Sequence, residues 1–423
     1  MSPQAQVHVI NKTKLTEHLV IPIDPSTLPP LNPGSIRVRS AITSLTATNL
    51  AYAKLGTLLH WWDAYPVPPQ LPAPHNDQSA WGIVPCWGYG EVLESSIDGI
   101  SPGCLIWGYW PTASLPFDLK LNLGDARNHW WEVSDHRKDL MPLYNRYDVP
   151  DPTLRLKDLS KDEFTDSAWQ AVVRPIWGAG WALNNFCFGP HAIHPSGVGE
   201  WSKENADLSA AVIVNLSASG KTARAFTDGL VNNRQPNTGP VGLLAISRDA
   251  GSSLIPKADF PTKAVSYSEV ADADTVAFIA AQNPSRVVVV DFGGKDGSLA
   301  TLLQALEQKL PTAQVVVVGV GIDVKPLSLE EMAAQAKQDA PLLNGIQMNT
   351  SPLYEAAKAQ MGAQNFFDLQ GQGWQGFVER GNLNGLKLVL GEGIEGDKGI
   401  EGGWERVCKG NLGGGVSLSF KIA

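Results

Sequence analysis

An apolar run, a turn of small residues and a second run with helical spacing follow one another in AAVIVNLSASGKTARAF. This is the order in which a helix N-terminus receives a phosphate: unpaired backbone N–H groups and the helix dipole attract the anion, and small side chains let it approach. Ser217-Ala218-Ser219-Gly220-Lys221-Thr222-Ala223 keeps the spacing of G-x-x-G-x-x-G, with Ser and Ala at the outer positions. A competing reading is a P-loop, since Gly220-Lys221-Thr222 matches the end of that motif and Asp291 closes the run VVVVD. The first glycine of a P-loop would fall at Asn215, inside the apolar run, leaving no length for a phosphate-wrapping loop. The turn therefore reads as a dinucleotide site.

After the next apolar run, VGLLAIS, a site for NAD would place an acidic residue to hold the ribose hydroxyls. Ser247 and Arg248 stand there instead, with Asp249 following. A guanidinium binds phosphate with two parallel hydrogen bonds, and a hydroxyl adds another, so the pair suits the 2′-phosphate of NADP(H). Gly293 and Gly294 follow RVVVVDF, and Gly319 and Gly321 follow AQVVVV, at strand ends where a dinucleotide crosses a sheet.

The elements that must position these residues are legible as runs. AAVIVNL, VGLLAIS, KAVSYSE, RVVVVDF and AQVVVVG are short, continuously apolar and flanked by turn residues, as strands buried on both faces must be. Between them KTARAFTDGL, EVADADTVAFIAAQ and GSLATLLQALEQK have helical spacing, so a doubly wound parallel sheet is expected. The earlier part differs: 12 of the 14 tryptophans lie between Trp61 and Trp201, in extended segments (SIRVRSAI, WGIVPCWGYGEVLES, GCLIWGYW) broken by Pro and Gly. It reads as a β domain, with PPQLPAPHNDQ and YNRYDVPDPT as loops. DSAWQAVVRPIWGAGWALNNF and PLYEAAKAQMGAQ predict further helix, and GGGVSLSFKIA alternates with period two, as a strand returning to the β domain would.

A chain of 423 residues with 43% hydrophobic residues is long enough for two domains of about 100 to 200 residues each, with ample core. The net charge of -9 argues against a nucleic-acid partner, which requires clustered cations. No apolar run approaches a bilayer span, and the start (MSPQAQVHVINKTK) lacks the core of a secretory signal, so a cytoplasmic protein away from membranes is expected. Cys86, Cys104, Cys187 and Cys408 are widely spaced without a CxxC pair, which predicts free thiols.

The order β domain, dinucleotide domain, return strand resembles the medium-chain dehydrogenase/reductase superfamily. SAITSLTATNLAYA (40–53) is similar to its first active-site loop, WGIVPCWGYGEVLES to the strand that normally carries G-H-E, and GISPGCLIWGYW to the strand after it. SASGKTA resembles its G-A-S-G-G-V-G turn, and GGWERVCKGNLGGGVSLSFKI its C-terminal helix and strand. LTATNLAYAKLG, Trp61-Trp62-Asp63, Tyr144-Asn145-Arg146-Tyr147 and VVRPIWGAGWALNNF are similar to a microbial branch described only as a domain of unknown function. The resemblance implies an α/β fold: a GroES-like β domain over 1–184 and 346–423, and a Rossmann doubly wound parallel sheet over 185–345. It also implies a monomer or homodimer.

Two departures bear on the chemistry. Gly88-Tyr89-Gly90-Glu91 stands where zinc-dependent members have a metal-binding His, and Thr48 and Asn49 stand where they have Cys, so no metal is expected. The pair His191-Ala-Ile-His194 has a spacing that can bind metal, but lacks Cys or carboxylate neighbours and equally suits a surface loop. Without zinc, hydrogen-bond donors must stabilise the oxyanion that forms as NADPH reduces its acceptor. Asn49, Tyr52 and His60 are the candidate catalytic donors; a helix cap, a core side chain and loop packing are their alternatives. Tyr144, Arg146, Tyr147 and Arg174 are secondary candidates, and the tryptophans suggest an apolar substrate pocket or, equally, core. The expected function is a zinc-independent, NADPH-dependent reductase of an activated C=C or C=O bond in an apolar small molecule. A redox-silent cyclase, isomerase or lyase, or a non-catalytic nucleotide-binding protein, is the alternative.

Overall fold

The computed structural model describes residues 4–25, 28–235, 237–248, 251, 255–295, 297–320, 345–410, 412 and 415–422; Asp249 and Gly321 lie outside them. Two compact units divide the chain, one of residues 1–175 with 385–423 and one of residues 176–384.

In the first unit, strands Ser35–Leu45, Pro85–Ser95, Leu105–Pro111, Arg146–Asp148, His129–Glu132 and Phe117–Leu123 pair in that order. Phe117–Leu123 then pairs antiparallel with Ser35–Leu45, closing a six-strand, GroES-like barrel without free edges. Val416–Lys421 pairs antiparallel with Leu45–Ile42, so the alternating tail does return to this sheet, and Lys387–Glu392 lies parallel beside it. The expected loop YNRYDVPDPT is corrected here: its Arg146–Asp148 is a barrel strand, and Tyr147 is fully buried. Three residues are too few to show periodicity, so only their pairing with Trp107 and with His129–Trp131 reveals them.

In the second unit, strands Ala211–Leu216, Gly242–Ser247, Thr262–Ser266, Arg286–Asp291, Gln314–Gly319 and Ile346–Gln347 are all parallel. Numbered along the chain from one to six, they stand in the order 3-2-1-4-5-6, the Rossmann arrangement whose crevice opens between strands one and four. Each of the five apolar runs forms a strand. The first two are buried at every residue, because helices cover both faces. Val212, Val214, Leu216, Leu244, Ile246, Val287 and Val289 pack on one face against Ile279, Leu302 and Leu306 of helices Ala273–Ala281 and Ser298–Lys309.

The unit boundaries differ from those expected at 184/185 and 345/346: the divisions fall at Pro175, inside helix Lys161–Ala182, and at Asn384. Helices Thr350–Met361 and Ala363–Glu379 belong to the second unit, where Tyr354, Phe366, Trp374 and Phe377 pack around Trp177 and Trp181. No helix among the described residues is long and apolar enough to cross a membrane.

Candidate active site

At the carboxyl end of strand Ala211–Leu216 the chain turns through Ser217–Gly220 into helix Lys221–Asn232. The turn is closed by the Gly220 N–H donating to the Ser217 carbonyl at 2.9 Å, and the Ala218 N–H reaches the Ile246 carbonyl at 2.9 Å. Ser217 holds φ 66°, a left-handed conformation that glycine adopts freely and a β-carbon resists. The helix N-terminus carries no side-chain cap hydrogen bond, as at helix ends that receive anions. Gly180 permits close helix packing here: a β-carbon would sit 2.1 Å from the Thr222 carbonyl oxygen.

Ser219 and Thr222 are half-buried in this turn. At the first helical position, burial and then the Arg224 charge lower the Lys221 pKa to about 8. Arg224 itself is held by the Asn384 and Asn382 carbonyls at 2.9 and 3.3 Å. Asn215 is fully buried in the strand, its amide donating to the Thr227 hydroxyl at 2.8 Å, which removes the loop length a P-loop needs.

Ser247 is buried at the end of the second parallel strand, and Arg248 is exposed immediately after it. Beyond the switch point, Asp291 Oδ1 accepts the N–H groups of Gly293 and Gly294 at 2.9 and 2.6 Å, folding the strand end back on itself. Gly319 ends the fifth strand, where a β-carbon would meet the Gln347 side chain at 2.4 Å. Ser217, Ser219, Gly220, Lys221, Thr222, Ser247, Arg248, Gly293 and Gly319 thus stand together at the carboxyl edge of one sheet.

The histidine pair does not form a metal site. His191 is exposed, whereas His194 Nδ1 accepts the N–H groups of Ser196 and Gly197 at 3.0 and 2.8 Å. That leaves the hydrogen on Nε2, so neither ring nitrogen of His194 offers a metal a lone pair. No group of three or more His, Cys, Asp or Glu among the described residues is placed to hold a metal ion.

In the barrel unit, helix Ala47–Lys54 starts with a capping box: the Thr46 hydroxyl accepts the Thr48 N–H at 3.2 Å, and Asn49 Oδ1 accepts the Thr46 N–H at 2.7 Å. Asn49 is only 3% exposed, and its amide also donates to the Pro85 carbonyl at 2.9 Å. Asn49 thus caps the helix, and the helix N-terminus and the neighbouring strand engage both ends of its amide. His60, at φ 61°, sits in a turn with its ring hydrogen-bonded to Asp63 at 2.9 Å, and its side chain is 43% exposed.

Tyr52 belongs to an interlocked aromatic shell with Trp61, Tyr109 and Tyr144, at centroid distances of 4.7, 5.3 and 5.8 Å. Its hydroxyl accepts the Trp87 indole N–H at 3.0 Å, and burial pushes its pKa up to about 12, so the phenol stays protonated at neutral pH. Trp87 stacks on Trp107 at 4.9 Å. The Trp107 indole N–H and the Tyr109 hydroxyl are buried without a hydrogen-bond partner among the described residues. Most barrel tryptophans are thus packed core, which corrects the expectation of a broad pocket walled by them.

The secondary candidates separate. Tyr144 joins the Tyr52 shell, while Tyr147 accepts Arg137 Nη1 at 2.8 Å in a buried network with Tyr65 and the Tyr109 carbonyl. Arg146 binds Asp125 and His129, at 2.8 and 2.9 Å, and Arg174 lies over the Trp107 ring at 4.9 Å. Trp87, Trp107 and Tyr109 were not singled out by sequence reasoning; they lie on two strands and share no motif.

A closed six-strand barrel joined to a 3-2-1-4-5-6 parallel sheet defines a medium-chain dehydrogenase/reductase-like fold. Residues 43–413 match the family described as "Protein of unknown function (DUF2855)", and the chain belongs to it. No curated protein matches the chain. It is similar to a mutant enoyl thioester reductase from Candida tropicalis (TM-score 0.53, 11% identity, 99% of this chain and 100% of that one). A putative NADPH:quinone reductase from Bacillus thuringiensis gives TM-score 0.52 at 13% identity, with 100% of both chains covered. CurA from Vibrio vulnificus in complex with NADPH gives TM-score 0.50 at 11% identity, with 99% of both covered. At these identities the likeness is one of fold.

Proposed function

We propose that this chain is a zinc-independent, NADPH-dependent reductase of an activated C=C or C=O bond in an apolar small molecule. One observation carries the reading. An uncapped helix N-terminus follows the central parallel strand, and an exposed Arg248, with no acidic residue before it, follows the neighbouring strand. The first suits a pyrophosphate and the second a 2′-phosphate. Similar structures, an NADPH complex, an enoyl thioester reductase and a putative NADPH:quinone reductase, favour the same cofactor and reaction class.

NADPH, when bound, supplies the hydride. The chain's own task is to hold the phosphates, stabilise the oxygen on which charge develops, and provide a proton. Tyr52 suits the last role: its oxygen accepts the Trp87 N–H, the Tyr144 hydroxyl is its other hydrogen-bond neighbour, and burial keeps it protonated. Trp107 and Tyr109 contribute further N–H and O–H groups within the same apolar aromatic shell. Gly88-Tyr89-Gly90-Glu91 of strand Pro85–Ser95 stands where zinc-dependent members have a metal-binding histidine, and Glu91 is paired with Arg39 at 2.8 Å.

Calorimetric titration of the purified protein with NADPH, NADP, NADH and ATP tests the reading. Binding of NADPH and NADP well ahead of NADH is expected. Absence of dinucleotide binding ends it, and magnesium-dependent ATP binding alone would restore the P-loop.

A further inference from the structure

His194 lies in a loop that the rest of its unit holds from several sides. The Ile193 N–H donates to the Phe186 carbonyl at 2.6 Å, and the Asn349 N–H donates to the Pro195 carbonyl at 3.0 Å. Asn349 follows directly on the sixth parallel strand, and the Met348 N–H binds the carbonyl of Gly319, the last residue of the fifth, at 2.7 Å. These contacts fix the loop at the carboxyl end of strands five and six.

The ring's hydrogen is fixed as well. Nδ1 accepts two backbone N–H groups, so the hydrogen must reside on Nε2. Nε2 is buried and has no hydrogen-bond partner among the described residues. A buried donor left unmade is costly, and such exceptions in a folded protein call for a ligand, a water or a function. Here the donor belongs to a loop at the edge of the sheet where dinucleotides bind.

A Rossmann sheet is two mononucleotide-binding halves, and the switch point separates them. The turn at Ser217–Gly220 and Arg248 belong to the strands of the first half, which takes the adenosine and its phosphates. Strands five and six belong to the second half, which takes the other nucleoside. We infer that His194 Nε2–H is a hydrogen-bond donor to the nicotinamide half of the dinucleotide, with the carboxamide oxygen as its acceptor. The inference rests on the NADPH reading above. It assigns His194 to binding, where its spacing from His191 had suggested metal ligation.

His194→Asn is the discriminating variant. An Asn Oδ1 accepts N–H groups two and three residues ahead in an Asx-type turn, so the bonds from Ser196 and Gly197 can persist while the Nε2 donor is lost. Calorimetry with two probes reads the result: NADPH, and adenosine 2′,5′-bisphosphate, which lacks the nicotinamide. The expected outcome is NADPH affinity weakened about five- to ten-fold, with the bisphosphate unchanged, as loss of one neutral hydrogen bond predicts. His194→Ala should show the same selectivity, with thermal unfolding reporting any damage to the loop. Unchanged NADPH affinity in His194→Asn overturns the inference, as does equal weakening of both probes in a variant that unfolds at the wild-type temperature. Failure of the wild type to bind NADPH removes the cofactor reading and this inference together, whereas wild-type binding with an indifferent variant removes only the inference.

Discussion

The Trp87 indole donates to the Tyr52 hydroxyl across 3.0 Å, within a shell where Tyr52 meets Tyr109 nearly perpendicularly. The Tyr52 oxygen is an acceptor for Trp87, and the Tyr144 hydroxyl is its second hydrogen-bond neighbour.

Tyr52→Phe should therefore lower turnover of the NADPH-dependent reaction by about 10²- to 10³-fold, the usual loss of a positioned proton donor. Stability should fall by only about 1 kcal/mol, because the ring stays while Trp87 loses its acceptor. Steady-state kinetics with thermal unfolding measures both, and full turnover in the variant would remove Tyr52 from the mechanism. Since the phenol ionises near pH 12, an activity loss at milder alkaline pH has to originate in another group.

Arg248→Ala should weaken NADPH about 10- to 100-fold, the worth of charge-assisted hydrogen bonds to a phosphate, and leave NADH nearly unchanged. Paired titrations decide it. Equal losses for both cofactors would show that Arg248 supports the strand end and does not read the 2′-phosphate.

Ser217 pays for its φ of 66° in a turn whose outer position usually carries glycine. Ser217→Gly should raise stability by about 0.5–1 kcal/mol, the left-handed strain relieved less the extra freedom of an unfolded glycine. A lower melting temperature would mean that the serine hydroxyl contributes more than the strain costs.

His8 and His18 share one hydrogen bond of 3.0 Å between adjacent strands, and burial, then the His18 charge, holds the His8 pKa down to about 3. Unfolded, His8 titrates near its ordinary value of 6.5, so below that pH the unfolded chain binds a proton that the native chain refuses. The stabilising contribution is complete above pH 6.5 and is lost progressively as the pH falls toward 3. Melting temperatures between neutral and acid pH should fall less steeply in His8→Phe than in the wild type; parallel curves would mean that carboxylates alone set the acid limit.

The parallel sheet was legible in the sequence because it is locally written. Strands such as Ala211–Leu216, covered on both faces, must be apolar at every position, and the turn and helix that follow carry their own spacing. Arg248 was legible for a related reason, being placed by its distance along the chain from a recognisable strand. The barrel was less so: the three residues Arg146–Asp148 have no period of their own, and their strand exists through partners at Trp107 and His129–Trp131.

The sequence by itself determined the order of the domains and the strand–turn–helix at Ser217–Gly220, because each depends on residues close together in the chain. Tertiary structure alone decided which polar groups are spent and which remain. Folding brought the Pro85 carbonyl to the Asn49 amide and the Trp87 N–H to the Tyr52 oxygen. His194 left the metal-ligand candidates when two neighbouring N–H groups took its Nδ1, while its loop was anchored to Asn349, far along the chain. A hydrogen bond needs a direction as well as a residue type, and for side chains distant in sequence only the folded backbone supplies it.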